Sequence, residues 1–178
     1  IITSLKDGSG NVVFKPTEKS HMAIIHTGSG SVSSTTSTLS QTTTELQSGK
    51  TYLITFDYLF MSNEYPTQST SFNDTFTAKA KGISGGGDVT IVQETRNSSS
   101  FKTDKGSITS DGSTNTSFSN FTLSGGNGYL NCSGSCANDD SGAVTVFKTA
   151  SKTVQPDTTS GTLEFKVFDV GDTAVDSG

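Results

Sequence analysis

Apolar and polar positions alternate over Thr51 to Phe60, where Tyr52, Ile54, Phe56 and Tyr58 share one face and Leu53, Thr55, Asp57 and Leu59 the other. Successive side chains of a β-strand point to opposite faces, so this period of two predicts a strand, here a central one. Phe72 to Lys81 repeats the pattern with Phe72, Asp74, Phe76, Ala78 and Ala80 aligned. Asp74 is the misfit, a carboxylate opening a face that is otherwise apolar. Gly85-Gly86-Gly87-Asp88 reads as a turn into a strand over Val89 to Glu94. Leu163 to Val170 alternates Leu163, Phe165, Val167 and Asp169, and shorter strands are expected at Asn11 to Phe14, His21 to His26, Phe118 to Leu123 and Val144 to Phe147. The first of these follows a turn at Lys6-Asp7-Gly8-Ser9-Gly10.

Ser29 to Thr44 is almost wholly Ser, Thr and Gly, with Val32 and Leu39 its large apolar residues. It is either a flexible linker or an exposed β-edge in which Leu39 and Leu46 face inward. The second fits better, because a compact domain rarely carries so long a structureless connection. No amphipathic helix longer than a turn and no repeat of fixed period is visible. The pattern predicts an all-β fold of eight to ten strands, a two-sheet antiparallel β-sandwich of jelly-roll type.

Composition agrees. The 178 residues suit a single domain spanning 1–178, and they include 29 Ser, 29 Thr and 19 Gly against 8 Leu and 1 Arg. Thr, Val, Ile and Phe suit a pleated surface, whereas a helical bundle would need Leu, Ala, Glu, Lys and Arg. Eleven Phe and four Tyr supply core volume. A net charge of −5 speaks against nucleic acid, whose phosphates need Lys and Arg. No apolar run approaches the length of a membrane span. The chain closes abruptly at Asp176-Ser177-Gly178, as expected of a piece from a longer polypeptide.

Enzyme signatures such as G-x-S-x-G, the phosphate-binding P-loop and H-E-x-x-H do not occur, so no catalytic role is expected. His21 and His26, five apart on an expected strand, would point to opposite faces and could not share a metal. Cys132 and Cys136 lie in a Gly- and Ser-rich loop without a nearby His, a poor zinc site. A local disulfide is the better expectation and would place the chain in an oxidising exterior. It would pin a loop ending at Asn138, Asp139 and Asp140, a pre-organised surface suited to presenting polar groups to a ligand.

Two acidic clusters remain. Asn63, Glu64 and Tyr65 precede Asn73 and Asp74 across a polar loop, and Asp169, Asp172 and Asp176 follow the last strand, with Gly171 allowing a bend. Hard oxygen ligands at strand ends with few basic partners suit Ca²⁺, which takes six to eight of them. The bland alternative is a set of Asx-turns and solvated carboxylates.

The segments FDYLFMSNEYPTQSTSFNDTF (Phe56 to Phe76) and KVFDVGDTAVDSG (Lys166 to Gly178), with the early HMAIIHTG run, resemble jelly-roll domains of bacterial surface proteins. Similar domains occur in the very large repeats-in-toxin adhesins of Gram-negative bacteria. The matched residues cover about a fifth of the chain. The resemblance implies a secreted or cell-surface, calcium-bearing β-sandwich that binds a ligand on a target cell and is monomeric as an isolated domain. It places Glu64, Asn73 and Asp74 near one calcium site and Asp172 and Asp176 near another. Asn63 stands where related sequences often carry another acid. The implied partner is a peptide or protein terminus. A glycan is the alternative, with Tyr65 or Tyr129 as the sugar platform in a chain without Trp, and a structural spacer is the third.

Overall fold

The computed structural model describes residues 1, 3–7, 12–27, 36–62, 70–98, 117–118, 121–123, 128–129, 142–144 and 147–170. Among them there are strands, turns and no helix, which establishes the all-β class. The strands are β1 (Leu5–Asp7), β2 (Val12–Phe14), β3 (Thr36–Thr43), β4 (Tyr52–Tyr58), β5 (Met61–Ser62), β6 (Thr75–Ser84) and β7 (Gly87–Thr95). They continue with β8 (Ser117–Phe118), β9 (Phe121–Leu123), β10 (Gly128–Tyr129), β11 (Gly142–Val144), β12 (Lys148–Val154) and β13 (Gly161–Phe168).

The main sheet has the order β3-β13-β6-β7, and β12-β4 forms a second sheet. Smaller sheets run β10-β9-β1-β2 and β5-β11-β8. Every recorded pairing is antiparallel. Three pairs are nested: β3 with β13 outside, β4 with β12 within, and β5 with β11 innermost. Strands within 36–62 thus pair with strands within 142–168 as an antiparallel ribbon of three successive ladders.

Folding the ribbon brings β4 and β12 against β6, β7 and β13. Phe60, Phe76, Ala78, Val92, Ala150 and Val167 are buried together, with Phe56, Tyr58 and Phe165 packed against them. Ala78 and Ala150 leave room that the aromatic rings of the facing strands fill, so that large and small residues interlock. The Phe56 and Phe165 rings meet edge to face with centroids 4.9 Å apart, and Tyr58 stacks on Phe76 at 5.3 Å. Both geometries suit the ring quadrupole. A second cluster of Ala80, Ile83 and Val154, with Leu46, Tyr52 and Ile54, carries the core toward the β6–β7 turn. There Gly85 and Gly86 have φ of 57° and 75°, the pair of left-handed residues a two-residue hairpin turn requires. The Asp157 carboxylate accepts the Gly85 N–H, and Asp157 donates its own N–H to the Ile83 carbonyl at 3.1 Å.

Four expectations differ from what is observed. His21 to His26 is not a strand: Met22 makes an isolated bridge, and 15–27 runs as an irregular strap. Lys19, with φ of 57°, turns the chain just before it. Met22, Ile24 and Ile25 are all half-buried, and apart from the Met22 bridge the described run has no strand. The strand at β4, expected to be central, has β12 as its one ladder partner among the described residues. Lys148 to Val154 forms a seven-residue strand where none was expected, since its apolar face amounts to Ala150 and Val154. Within the Ser/Thr-rich stretch, Thr36–Thr43 forms the edge strand β3, paired with β13 over its whole length, while 29–35 lie outside the described residues; Leu39, expected to face inward, is 41% exposed.

Candidate functional site

The register of the main sheet decides what stands at one end of it. Phe168 pairs with Thr75, and Thr75 pairs with Thr95. One step past each strand, Asp169, Asp74 and Arg96 therefore occupy neighbouring places along the same edge. Asp74 is 0% exposed, and Asp169 and Arg96 are each 3% exposed. The row is held by the backbone. Val170 donates its N–H to Asp74 Oδ1 at 2.8 Å, and Arg96 donates its N–H to the Asp74 carbonyl at 2.7 Å.

Asp74, the polar misfit of the sequence, thus lies one residue before β6, and its burial is compensated by the Val170 N–H that its Oδ1 accepts. Asn73 braces the neighbouring loop: its Oδ1 accepts the Asn97 N–H at 2.9 Å, while Asn97 Nδ2 donates to the Thr70 carbonyl at 2.6 Å.

Of the residues singled out in the sequence, Asn73 and Asp74 are therefore brought beside the Asp169-Val170 segment. Asn63, Glu64, Tyr65, Asp172 and Asp176 lie outside the described residues, as do Cys132, Cys136, Asn138, Asp139 and Asp140. Among the described residues no group of three His, Cys, Asp or Glu is placed to hold a metal. Arg96 was missed in the sequence. Its signal was there, as the sole arginine of the chain, directly after the strand that flanks Asp74.

A second feature lies between the sheets. A cleft of about 380 Å³ is lined by Phe56 and Tyr58 of β4, Phe165 of β13 and Phe76 of β6. The strap contributes Met22, Ile24 and Ile25. Exposed residues that also line it, Thr17, Glu18, His21, Leu39 and Asp57, mark its opening. Asp57 accepts a hydrogen bond from Thr149 Oγ1 at 2.6 Å. That bond, together with one from Thr17, holds its carboxyl below the usual carboxylate range.

No protein-family model, no curated protein and no solved structure matches this chain.

Proposed function

We propose that the chain is a non-catalytic ligand-binding module of a large bacterial surface adhesin, a jelly-roll β-sandwich whose rim loops are ordered by calcium. The observation that carries this reading is the convergence of two acidic motifs that lie far apart in sequence. Asp74 of the first accepts the backbone N–H of Val170 in the second, and Asp169 is buried beside it. The nested pairing of β3 with β13 and β4 with β12 supports the jelly roll, because a long antiparallel ribbon folded over is how that connectivity arises. Glu64, Asp172 and Asp176 are the further oxygen donors assigned to the cation in this proposal. The module is displayed outside the cell and attaches to a peptide or protein terminus on a target surface. The cation offers a positive partner for a terminal carboxylate, which a chain of net charge −5 would otherwise repel.

Calorimetric titration tests both parts. Short peptides with free C-termini and their amidated versions are each titrated in calcium and in chelator. Tight binding of the free-ended peptides in calcium alone is expected, and equal binding in all four arms rejects the mechanism. A thermal midpoint unmoved by calcium rejects the cation site itself.

A further inference from the structure

The cleft beneath the strap combines an apolar interior with an acidic opening. Its aromatic walls are fixed by the core: Phe56 is locked edge to face on Phe165, and Tyr58 is stacked on Phe76 and hydrogen-bonded to Glu94 Oε1 at 2.7 Å. Its volume of about 380 Å³ falls within the ordinary range for small-ligand sites, which are mostly apolar with a few placed polar groups. The charged groups among the described lining residues are the carboxylates of Glu18 and Asp57, with His21 beside them. Lys15 and Lys19 of the same strap are exposed and do not line the cleft.

Aromatic faces and carboxylates attract the same kind of charge. Ring quadrupoles present a negative face to a cation, and Asp57 stays ionised across the neutral and mildly acid range. We propose that this cleft is a binding site for a hydrophobic amine, its apolar body against Phe56, Phe165 and Met22 and its ammonium at the opening facing Asp57 and Glu18. The ammonium belongs either to a free amine or to the N-terminus of a peptide that begins with an aromatic residue. The site does not depend on calcium at the rim, so it stands or falls separately from the function proposed above.

Titrations in chelator, followed by calorimetry and amide chemical shifts, test it with 2-phenylethylamine, 2-phenylethanol and 3-phenylpropionate. The amine should bind about fivefold more tightly than the alcohol, and the carboxylate more weakly than either. The double variant Glu18→Gln and Asp57→Asn should bring the amine to the level of the alcohol. Leu39→Trp, at a lining position that is 41% exposed, should fill the opening and abolish binding while the fold, checked by its amide spectrum, is kept. A Phe-initiated peptide and its N-acetylated form identify the source: binding of the free-ended peptide assigns a protein terminus, and binding of 2-phenylethylamine alone assigns a small molecule. Binding of neither, equal affinity for amine and carboxylate, or undiminished binding by folded Leu39→Trp would overturn the proposal.

Discussion

Tyr58 donates its hydroxyl proton to Glu94 Oε1 at 2.7 Å, and this bond crosses from β4 in one sheet to β7 in the other. Lys148 of β12 reaches the same oxygen at 2.6 Å, so one carboxylate collects a donor from each strand of the facing sheet. Burial, the hydrogen bond to Glu94 and its negative charge all push the Tyr58 hydroxyl well above the ordinary value of 10.0. The folded state therefore keeps a proton that the unfolded chain releases. The stabilisation is complete below pH 10 and is lost as pH rises toward the folded-state value. The alkaline absorbance rise at 295 nm should include a late component that Tyr58→Phe removes. The same variant should cost about 1 kcal/mol at neutral pH in urea unfolding. An unchanged titration curve would show that the hydroxyl is not held across the sheets.

Asp74 separates charge from hydrogen bonding at the rim. Asp74→Ala leaves the part-buried Val170 N–H without this acceptor and should cost about 1 kcal/mol or more. Asp74→Asn keeps an oxygen for that N–H and should cost less, but it removes one negative charge from the row. If the rim holds calcium, Asp74→Asn should lower the calcium-dependent rise in thermal midpoint more than it lowers stability in chelator. Equal losses in the two conditions would assign Asp74 to the fold alone.

How much of this was legible in the sequence depended on how apolar each strand's inner face is. Strand β4 was visible because Tyr52, Ile54, Phe56 and Tyr58 repeat at every second position, and β13 because Leu163, Phe165 and Val167 do; β6 was read from Phe76 with Ala78 and Ala80 in line, and β7 from the glycine turn before it. Strand β12 was not, because Lys148, Thr149, Ser151, Lys152 and Thr153 surround Ala150, and a small residue in a polar run has no periodicity to read. Its strand is imposed by seven paired residues of β4, a tertiary cause. The strap failed in the opposite way: Met22, Ile24 and Ile25 read as a strand, yet they cover a gap between layers. At the rim, Asp74 was legible as a polar residue on an apolar face. Its neighbour Arg96 was not, since only sheet register brings residues 22 apart side by side.

Gly161 opens β13 where the chain passes beside the second core cluster. A methyl group at its Cα would meet Ile83 Cγ2 closely and lie 3.1 Å from Leu46 Cδ1. The Lys81 carbonyl, 3.5 Å away, restricts relief on that side. Gly161→Ala is therefore expected to destabilise by about 1–3 kcal/mol through overpacking, even though Ala suits a strand no worse than Gly. Combined with Ile83→Ala, which removes that Cγ2, Gly161→Ala should lose less than the sum of the two single losses. Purely additive losses in a double-mutant cycle would mean that the two side chains do not meet.

The two faces of β4 offer the sharpest test of the layer arrangement. Phe56 packs against the buried cluster and against the Phe165 ring, whereas Leu53, three residues earlier and on the other face, is 67% exposed. Truncation should therefore reverse the order that hydrophobicity along the chain would suggest for neighbouring strand residues. Phe56→Ala removes an aromatic ring from between the sheets and should cost about 3 kcal/mol. Leu53→Ala removes a side chain already in water and should stay within about 0.5 kcal/mol. Chemical unfolding of both variants, at equal denaturant slopes, reads the difference directly. A large loss at Leu53 would show that the outer face of β4 is covered in the folded protein, and that a further layer packs on the β12-β4 sheet.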